Sequence, residues 1–207
     1  GDRVEHYRAA LDEIFEDEKR VSYLHTVASL QRENLEQSEE AINTYREICD
    51  IDEQNAVALD GLTELYKKSD ARSDLAELYE GRAEREAQPE QAAEYRLALA
   101  NLLASDELER DRSIDQLELV LTEIPWHEAA TKALESLVDD EEVQQRVIEL
   151  LQPVYERGEN WKGIVRLKEL AFLRADGEAE QVEILTDIAM VYEDQVDDAE
   201  AAFSVTK

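Results

Sequence analysis

The chain has 207 residues, and its 52 acidic side chains outnumber 22 lysines and arginines, which gives a formal net charge of −30. Such a surface repels nucleic-acid phosphates and anionic lipid headgroups, because both attract proteins through lysine and arginine. We therefore expect no nucleic-acid binding, while a hydrophobic fraction of 43% predicts a folded chain and not an acidic disordered one.

The single cysteine, Cys49, excludes an internal disulfide and leaves zinc without a thiol pair. The longest nearly apolar stretch, residues 97–104, is interrupted by Asn101 and is too short for membrane insertion. We expect a cytoplasmic, bacterial protein, although a periplasmic one with few cysteines would have the same composition. The start at Gly1 without methionine, and an end within a helical pattern over 199–207, predict a fragment of a longer protein.

Helical spacing of apolar residues recurs along the chain, and glycine and proline are scarce. Three examples are Val21, Leu24, Val27, Ala28 and Leu35; then Leu59, Leu62, Leu65 and Tyr66; and later Ile184, Leu185, Ile188, Val191 and Tyr192. Capping and turn residues mark the breaks at Ser38, Asn55, Ser69, Asp70, Pro89, Pro125, Gly158, Asn160, Asp176 and Gly177. The pattern predicts about a dozen helices of roughly 10 to 18 residues joined by short turns.

The chain is self-similar at two offsets, which indicates a repeat protein. A shift of 72 residues places Leu62 and Leu65 on Leu134 and Leu137. A shift of 89 residues aligns Tyr66 with Tyr155 and relates the later part of the chain better. Because the two offsets differ by about one helix and a turn, we expect an extra helix, and hence an irregular three-helix unit, near residues 127–175.

Several of these helices carry a motif of large apolar, small and aromatic residues at fixed spacing. Leu59, Leu62, Thr63 and Tyr66 fit the first helix of such a unit, and so do Leu185, Ile188, Ala189 and Tyr192; Ala41 with Tyr45 and Ala199 with Phe203 fit the second helix. The chain resembles the tetratricopeptide repeat family over nearly its whole length. The resemblance implies one array over residues 1–207, an all-α, right-handed α-solenoid of antiparallel helices in stacked hairpins.

In such an array small residues let helices approach, and tyrosines fill the space between successive hairpins. We expect the alanines Ala28, Ala41, Ala100 and Ala189 and the tyrosines Tyr45, Tyr66, Tyr79, Tyr155 and Tyr192 to take these places. The two tryptophans, Trp126 and Trp161, flank the expected extra helix. We expect both in the core, with a surface for stacking on a ligand as the alternative.

The sequence carries no recognisable catalytic motif. It has no glycine-rich phosphate loop, and His6, His25 and His127 are far apart and outside any zinc motif. Cys49 has no nearby histidine, and the pair Asp50 and Asp52 begins a calcium-loop pattern that then fails at its glycine and glutamate positions. We therefore expect no enzymatic activity, cofactor or metal.

Function is expected instead in the concave groove that the family lines with first-helix residues. Asp60 and Glu64 stand where a carboxylate-gripping clamp of the family needs donors, so a basic or extended peptide suits the groove better. The candidate partner-binding residues are His25, Ser29, Arg32, Asp60, Glu64, Lys67, Leu97, Asn101, Lys132, Ser136, Thr186 and Met190.

The acidic residues are spread through every helix, so we favour a solvating, salt-tolerant surface over a dedicated site for basic proteins. The sequence predicts a non-catalytic scaffold that binds a peptide or partner subunit in the groove. The alternative is a regulatory or sensor segment of a larger signalling enzyme, such as a kinase or protease. Neither hypothesis specifies an oligomeric state.

Overall fold

A computed structural model describes residues 2–33 and 37–195. The described residues up to Arg85 form one compact unit, unit 1, and those from Glu86 to 195 form a second, unit 2. Leu35, Ala199 and Phe203 of the predicted helical patterns lie outside the described residues. Unit 1 contains α1 (Asp2–Leu11), α2 (Asp17–Arg32), α3 (Ser38–Ile51), α4 (Ala56–Lys68) and α5 (Arg72–Arg85).

Unit 2 begins with α6 (Pro89–Leu103), a 3₁₀ turn (Glu107–Glu109) and α7 (Arg110–Glu123), and continues with α8 (Glu128–Glu135), α9 (Gln144–Arg157), α10 (Trp161–Arg174) and α11 (Glu178–Asp194). Across the described residues these eleven α-helices confirm the predicted all-α fold. Within each unit consecutive helices pack on one another, which is consistent with a helical-repeat solenoid.

The helices repeat at the 72-residue interval seen in the sequence. α2 begins at residue 17 and α6 at residue 89, and the same interval separates the starts of α3 and α7, α4 and α8, α5 and α9, and α6 and α10. The helix starts also match in chemistry, since Asn55 Oδ1 accepts from the amide of Ala58 at 3.1 Å and His127 Nδ1 accepts from that of Ala130 at 3.2 Å. Residues related by the 72-residue offset in the sequence therefore occupy equivalent positions in their helices and at the helix caps.

The 89-residue offset relates two turns of the same geometry. Asp70, between α4 and α5, and Glu159, between α9 and α10, both have a left-handed backbone, with φ of 53° and 52°. In each turn the amide that follows bonds a tyrosine carbonyl at 2.9 Å, Ala71 to Tyr66 and Asn160 to Tyr155. A local turn conformation therefore recurs where the sequence aligns at this offset.

Three helices, α8, α9 and α10, lie within the 127–175 region for which an extra helix is predicted. α8 is short, with 8 residues, and the chain from 136 to 143 forms turns before α9 begins. The starts of these three helices follow those of α4, α5 and α6 by 72 residues. The spacing does not require an insertion, and their grouping as one irregular unit stays a prediction.

The expected alanines and tyrosines form much of the core. Ala28, Ala41 and Ala100 are buried, as are Tyr45, Tyr66, Tyr79 and Tyr155. Ala189 and Tyr192, on α11, are only half-buried. In unit 2 the largest apolar cluster runs through α6 to α10 and includes Ile114, Leu117, Leu134, Val147, Leu151 and Leu167.

The prediction that both tryptophans lie in the core is wrong for Trp126. Its side chain is 81% exposed in the turn between α7 and α8, whereas Trp161 is half-buried and packs against the apolar cluster of unit 2. Trp126 lies in the turn between the end of α7 and the His127 cap of α8. It therefore belongs to no helix whose buried face could direct its ring into the core.

Candidate functional site

Cys49 lies on α3 in a setting that suppresses its nucleophilicity. Burial raises the pKa of its thiol, and the nearby carboxylates of Asp50, Asp52 and Glu53 raise it further. A thiol with a raised pKa holds little reactive thiolate near neutral pH. Over residues 2–33 and 37–195, no three His, Cys, Asp or Glu side chains are placed to hold a metal ion.

The three histidines occupy separate places, each with a local environment. His127 caps α8, and its Nε2 lies 4.0 Å from Glu94 Oε1. His6 makes an edge contact with Tyr7 at the amino terminus. His25 Nδ1 is buried on α2 without a hydrogen-bond partner among the described residues.

Six of the predicted partner-binding residues lie on α2 and α4 of unit 1: His25, Ser29, Arg32, Asp60, Glu64 and Lys67. We call this set the first-helix face. His25 is half-buried and the other five are exposed, while the apolar side of both helices is buried. A side-chain contact joins the two helices here, since Arg32 donates to Glu64 Oε2 at 2.9 Å.

Tyr45 of α3 lies beneath this pair. Burial raises the pKa of its hydroxyl, Glu64 raises it too, and Arg32 together with a hydrogen bond to Ser29 opposes the shift. Gly61 of α4 makes room for the ring, since a Cβ at Gly61 would lie 2.5 Å from Tyr45 Cζ. The first-helix face therefore rests on a tightly packed tyrosine.

Residues of α5 engage two other members of the face. Arg82 donates to Asp60 Oδ1 at 2.8 Å, and its side chain is only 13% exposed. The Lys67 ammonium lies 5.8 Å from the centroid of the Tyr79 ring. The ion pair of Arg82 with Asp60 therefore links α5 to α4.

The other six predicted residues belong to unit 2 and are engaged mostly within their own helices. Lys132 pairs with Glu128, Ser136 donates to the Ala133 carbonyl, and Thr186 donates to that of Val182. Leu97 packs against the apolar cluster, and Asn101 and Met190 are exposed. The polar contacts of Arg32, Glu64 and Asp60 in unit 1 thus join different helices, whereas those of Lys132 and Thr186 lie within one helix.

A pocket of about 360 Å³ lies between α3 and α5, on the second-helix side of unit 1. We call it the α3–α5 pocket. Its lining residues are Glu39, Ile42, Asn43, Arg46, Tyr66, Ser69, Ala71 and Asp74. No sequence pattern indicates this pocket, because the four α3 positions are recognisable as one lining only once α4 and α5 are placed against them.

Arginines connect helices throughout both units. In unit 1, Arg46 of α3 donates to Asp74 of α5 at 2.6 Å. In unit 2, Arg146 of α9 donates to Asp115 and Glu118 of α7 at 2.5 and 2.8 Å. At the 72-residue offset, Arg46 corresponds to Glu118 and Asp74 corresponds to Arg146. The same ion pair between helices therefore recurs in unit 2 with the arginine and the carboxylate exchanged.

No protein-family model matches the chain, and a search of curated proteins finds no match either. Among the helices that the structure describes, none combines the length and the apolar character that a membrane span requires.

Proposed function

We propose that the chain is a non-catalytic interaction module of the tetratricopeptide type, which binds a peptide or a partner subunit on its first-helix face. The observation that supports this proposal is the division of α2 and α4 into two sides. Leu24, Val27 and Ala28 of α2 are buried, whereas Ser29 and Arg32 on its other side are exposed. Core packing does not use that side, so a partner can.

The chemistry of the face favours a basic or extended peptide. Asp60 and Glu64 supply carboxylates that are 69% exposed and that Arg82 and Arg32 neutralise in part, and Ser29 supplies a small exposed polar group. The acidic surface of the protein as a whole attracts cationic segments over long range and accelerates their encounter with it. The raised thiol pKa of Cys49 also supports a binding role over nucleophilic catalysis.

A peptide-display selection on the immobilised chain tests the proposal. We expect enriched peptides that contain lysine or arginine, and binding that calorimetry measures with the purified chain. Ser29→Trp places a large side chain on the face and should weaken this binding by about tenfold or more.

Thr122→Trp is the control, because Thr122 is also a small, exposed hydroxyl residue on a helix but belongs to α7, away from both the first-helix face and the α3–α5 pocket. Circular dichroism of both variants checks that they fold. The proposal fails if no peptide is enriched, or if Thr122→Trp weakens binding as much as Ser29→Trp.

A further inference from the structure

Three helices line the α3–α5 pocket. Glu39, Ile42, Asn43 and Arg46 follow one another at helical spacing and form the α3 wall. Tyr66 and Ser69, at the end of α4, and Ala71 and Asp74, at the start of α5, complete the lining. Its volume of about 360 Å³ is at the lower end of the range for ligand pockets, roughly 300 to 1,000 Å³, and suits one long side chain.

Arg46 is held in place as part of the wall. Its Nε donates to Tyr66 Oη at 2.9 Å, and its terminal nitrogen donates to Asp74 Oδ1 at 2.6 Å. Its guanidinium carbon lies 5.7 Å from the centroid of the Tyr66 ring. The hydrogen bond to Tyr66 raises the pKa of Arg46, so this charge is permanent. Asp74 neutralises it, which leaves the Glu39 carboxylate as the net charge of the lining.

The remaining polar groups are mainly acceptors. Glu39 and Asp74 contribute carboxylates, of which that of Asp74 also accepts from Arg46, and Asn43 contributes an amide that can donate as well as accept. Ser69 Oγ donates to the Leu65 carbonyl at 2.9 Å, so its oxygen can accept a further hydrogen bond. Ile42 and Ala71 add apolar surface. This combination fits a cationic head that carries several donors on an aliphatic stem.

Arginine fits this combination better than lysine. Its planar guanidinium presents five donors that can reach several acceptors at once, whereas an ammonium is a compact and more strongly hydrated charge. We propose that the α3–α5 pocket binds an arginine side chain of a partner peptide. The inference rests on the proposed interaction function and adds a second contact point, lined by α3, the end of α4 and the start of α5.

An NMR titration of the full 207-residue chain tests the proposal, with N-acetyl-arginine N-methylamide as the probe. The same compound with citrulline in place of arginine keeps the shape and removes the charge. We expect amide shifts concentrated in residues 39–46 and 66–74, and weaker binding of the citrulline compound.

Two variants should weaken the binding of the arginine probe. Glu39→Gln removes the net charge and should raise the dissociation constant by about fivefold, as expected for one partly exposed charged contact. Ala71→Leu should weaken it as well, by filling the pocket without a change of charge. Glu40→Gln is the matched control, because Glu40 is an exposed neighbour on α3 outside the pocket lining.

The proposal is overturned if the shifts scatter over the acidic surface, if Glu39→Gln and Glu40→Gln bind alike, if Ala71→Leu binds as the parent chain does, or if the citrulline compound binds as well as arginine. If a displayed peptide binds and its binding is weakened by Ser29→Trp, but the arginine probe shifts no amides in 39–46, only the arginine-pocket proposal is overturned and the interaction function stands. Absence of both results would overturn the interaction function too.

Discussion

Gly61 on α4 lies directly against the ring of Tyr45 on α3, and a Cβ added at Gly61 would lie 2.5 Å from Tyr45 Cζ. The ring cannot move aside easily, because Tyr45 is only 2% exposed. Close approach of two helices here therefore requires the absence of a side chain. The same relationship occurs in unit 2, where a Cβ at Gly163 would lie 2.6 Å from Tyr155 Cε2.

Gly61→Ala is expected to destabilise the protein. An alanine is intrinsically favoured over glycine in a helix by about 0.5–1 kcal/mol, but overpacking against Tyr45 costs about 1–3 kcal/mol. Urea unfolding followed by circular dichroism measures the difference.

Gly81→Ala is the matched control, since an added Cβ there meets only the end of the flexible Arg85 side chain. It should leave stability unchanged or raise it by up to about 1 kcal/mol. Equal stabilisation by both alanines would contradict the packing that we describe for Tyr45.

The cap at His127 gives a second prediction. His127→Ala should cost about 1 kcal/mol, because the amide of Ala130 loses its acceptor. His127→Asn should keep most of the stability, since Asn55 caps α4 through the equivalent atom. Thermal unfolding distinguishes the two variants, and equal losses would show that the cap contributes little.

Much of the fold is predictable from the sequence because the signals are local. Asn55 and Asn160 are helix caps, Pro89 begins α6, and Asp70 lies in a turn, as the breaks in the pattern indicate. Each of these positions depends on the chemistry of one residue and its neighbours. The buried alanines and tyrosines also follow from helical periodicity, which depends on sequence spacing alone.

The errors and omissions concern features that depend on which helices meet. Trp126 is exposed because it lies in a turn, although its size suggests the core. Arg146 reaches carboxylates on α7 that are 28 to 35 residues earlier, and no local pattern indicates that pairing. The repeat pattern indicates candidate residues on α2 and α4, but the Arg32 to Glu64 contact depends on how both helices pack on α3.

Arg146 is expected to stabilise unit 2 more than a typical surface arginine. It contacts Asp115, Glu118 and, at 3.9 Å, Asp111, so its removal leaves three carboxylates facing one another. Arg146→Gln should cost about 1 kcal/mol or more, whereas Arg166→Gln should cost less than about 0.5 kcal/mol, because its contact with Asp139 is long and exposed. Urea unfolding at low salt tests both variants, and equal costs would contradict the network.

The free energy of unfolding should fall above about pH 10, because the buried tyrosines ionise more readily in the unfolded chain. Burial raises the pKa of Tyr45, Tyr66 and Tyr155, and for Tyr155 a hydrogen bond to Glu135 at 2.6 Å raises it further. The unfolded chain then releases these protons near pH 10, while the folded chain retains them. The tyrosines therefore contribute their whole stabilisation below about pH 10, and this contribution to the unfolding free energy is lost as the pH rises toward the pKa of the folded state.

Tyr155→Phe removes one of these protons and should make the fall of unfolding free energy with pH shallower. Urea unfolding between pH 8 and about pH 11 provides the comparison. Parallel curves for the variant and the parent chain would show that Tyr155 ionises equally in both states.

The net charge of −30 predicts a response to salt. Arginines bridge helices in both units, yet the acidic excess stays on the surface, where its self-repulsion is screened by ions. We expect the melting temperature to rise between low and about molar NaCl. A flat or falling melting temperature would show that repulsion does not limit stability, and that the bridging ion pairs outweigh it.

Trp126 and Trp161 should differ in solvent contact. Trp126 is 81% exposed, so the emission of Trp161→Phe, which retains only Trp126, should lie at longer wavelength and be quenched more strongly by acrylamide. Trp126→Phe, which retains the half-buried Trp161, is the reciprocal variant. Because an exposed side chain outside a contact contributes little to stability, Trp126→Phe should change the unfolding free energy by less than about 0.5 kcal/mol. Equal quenching of the two variants would contradict the difference in exposure between the two side chains.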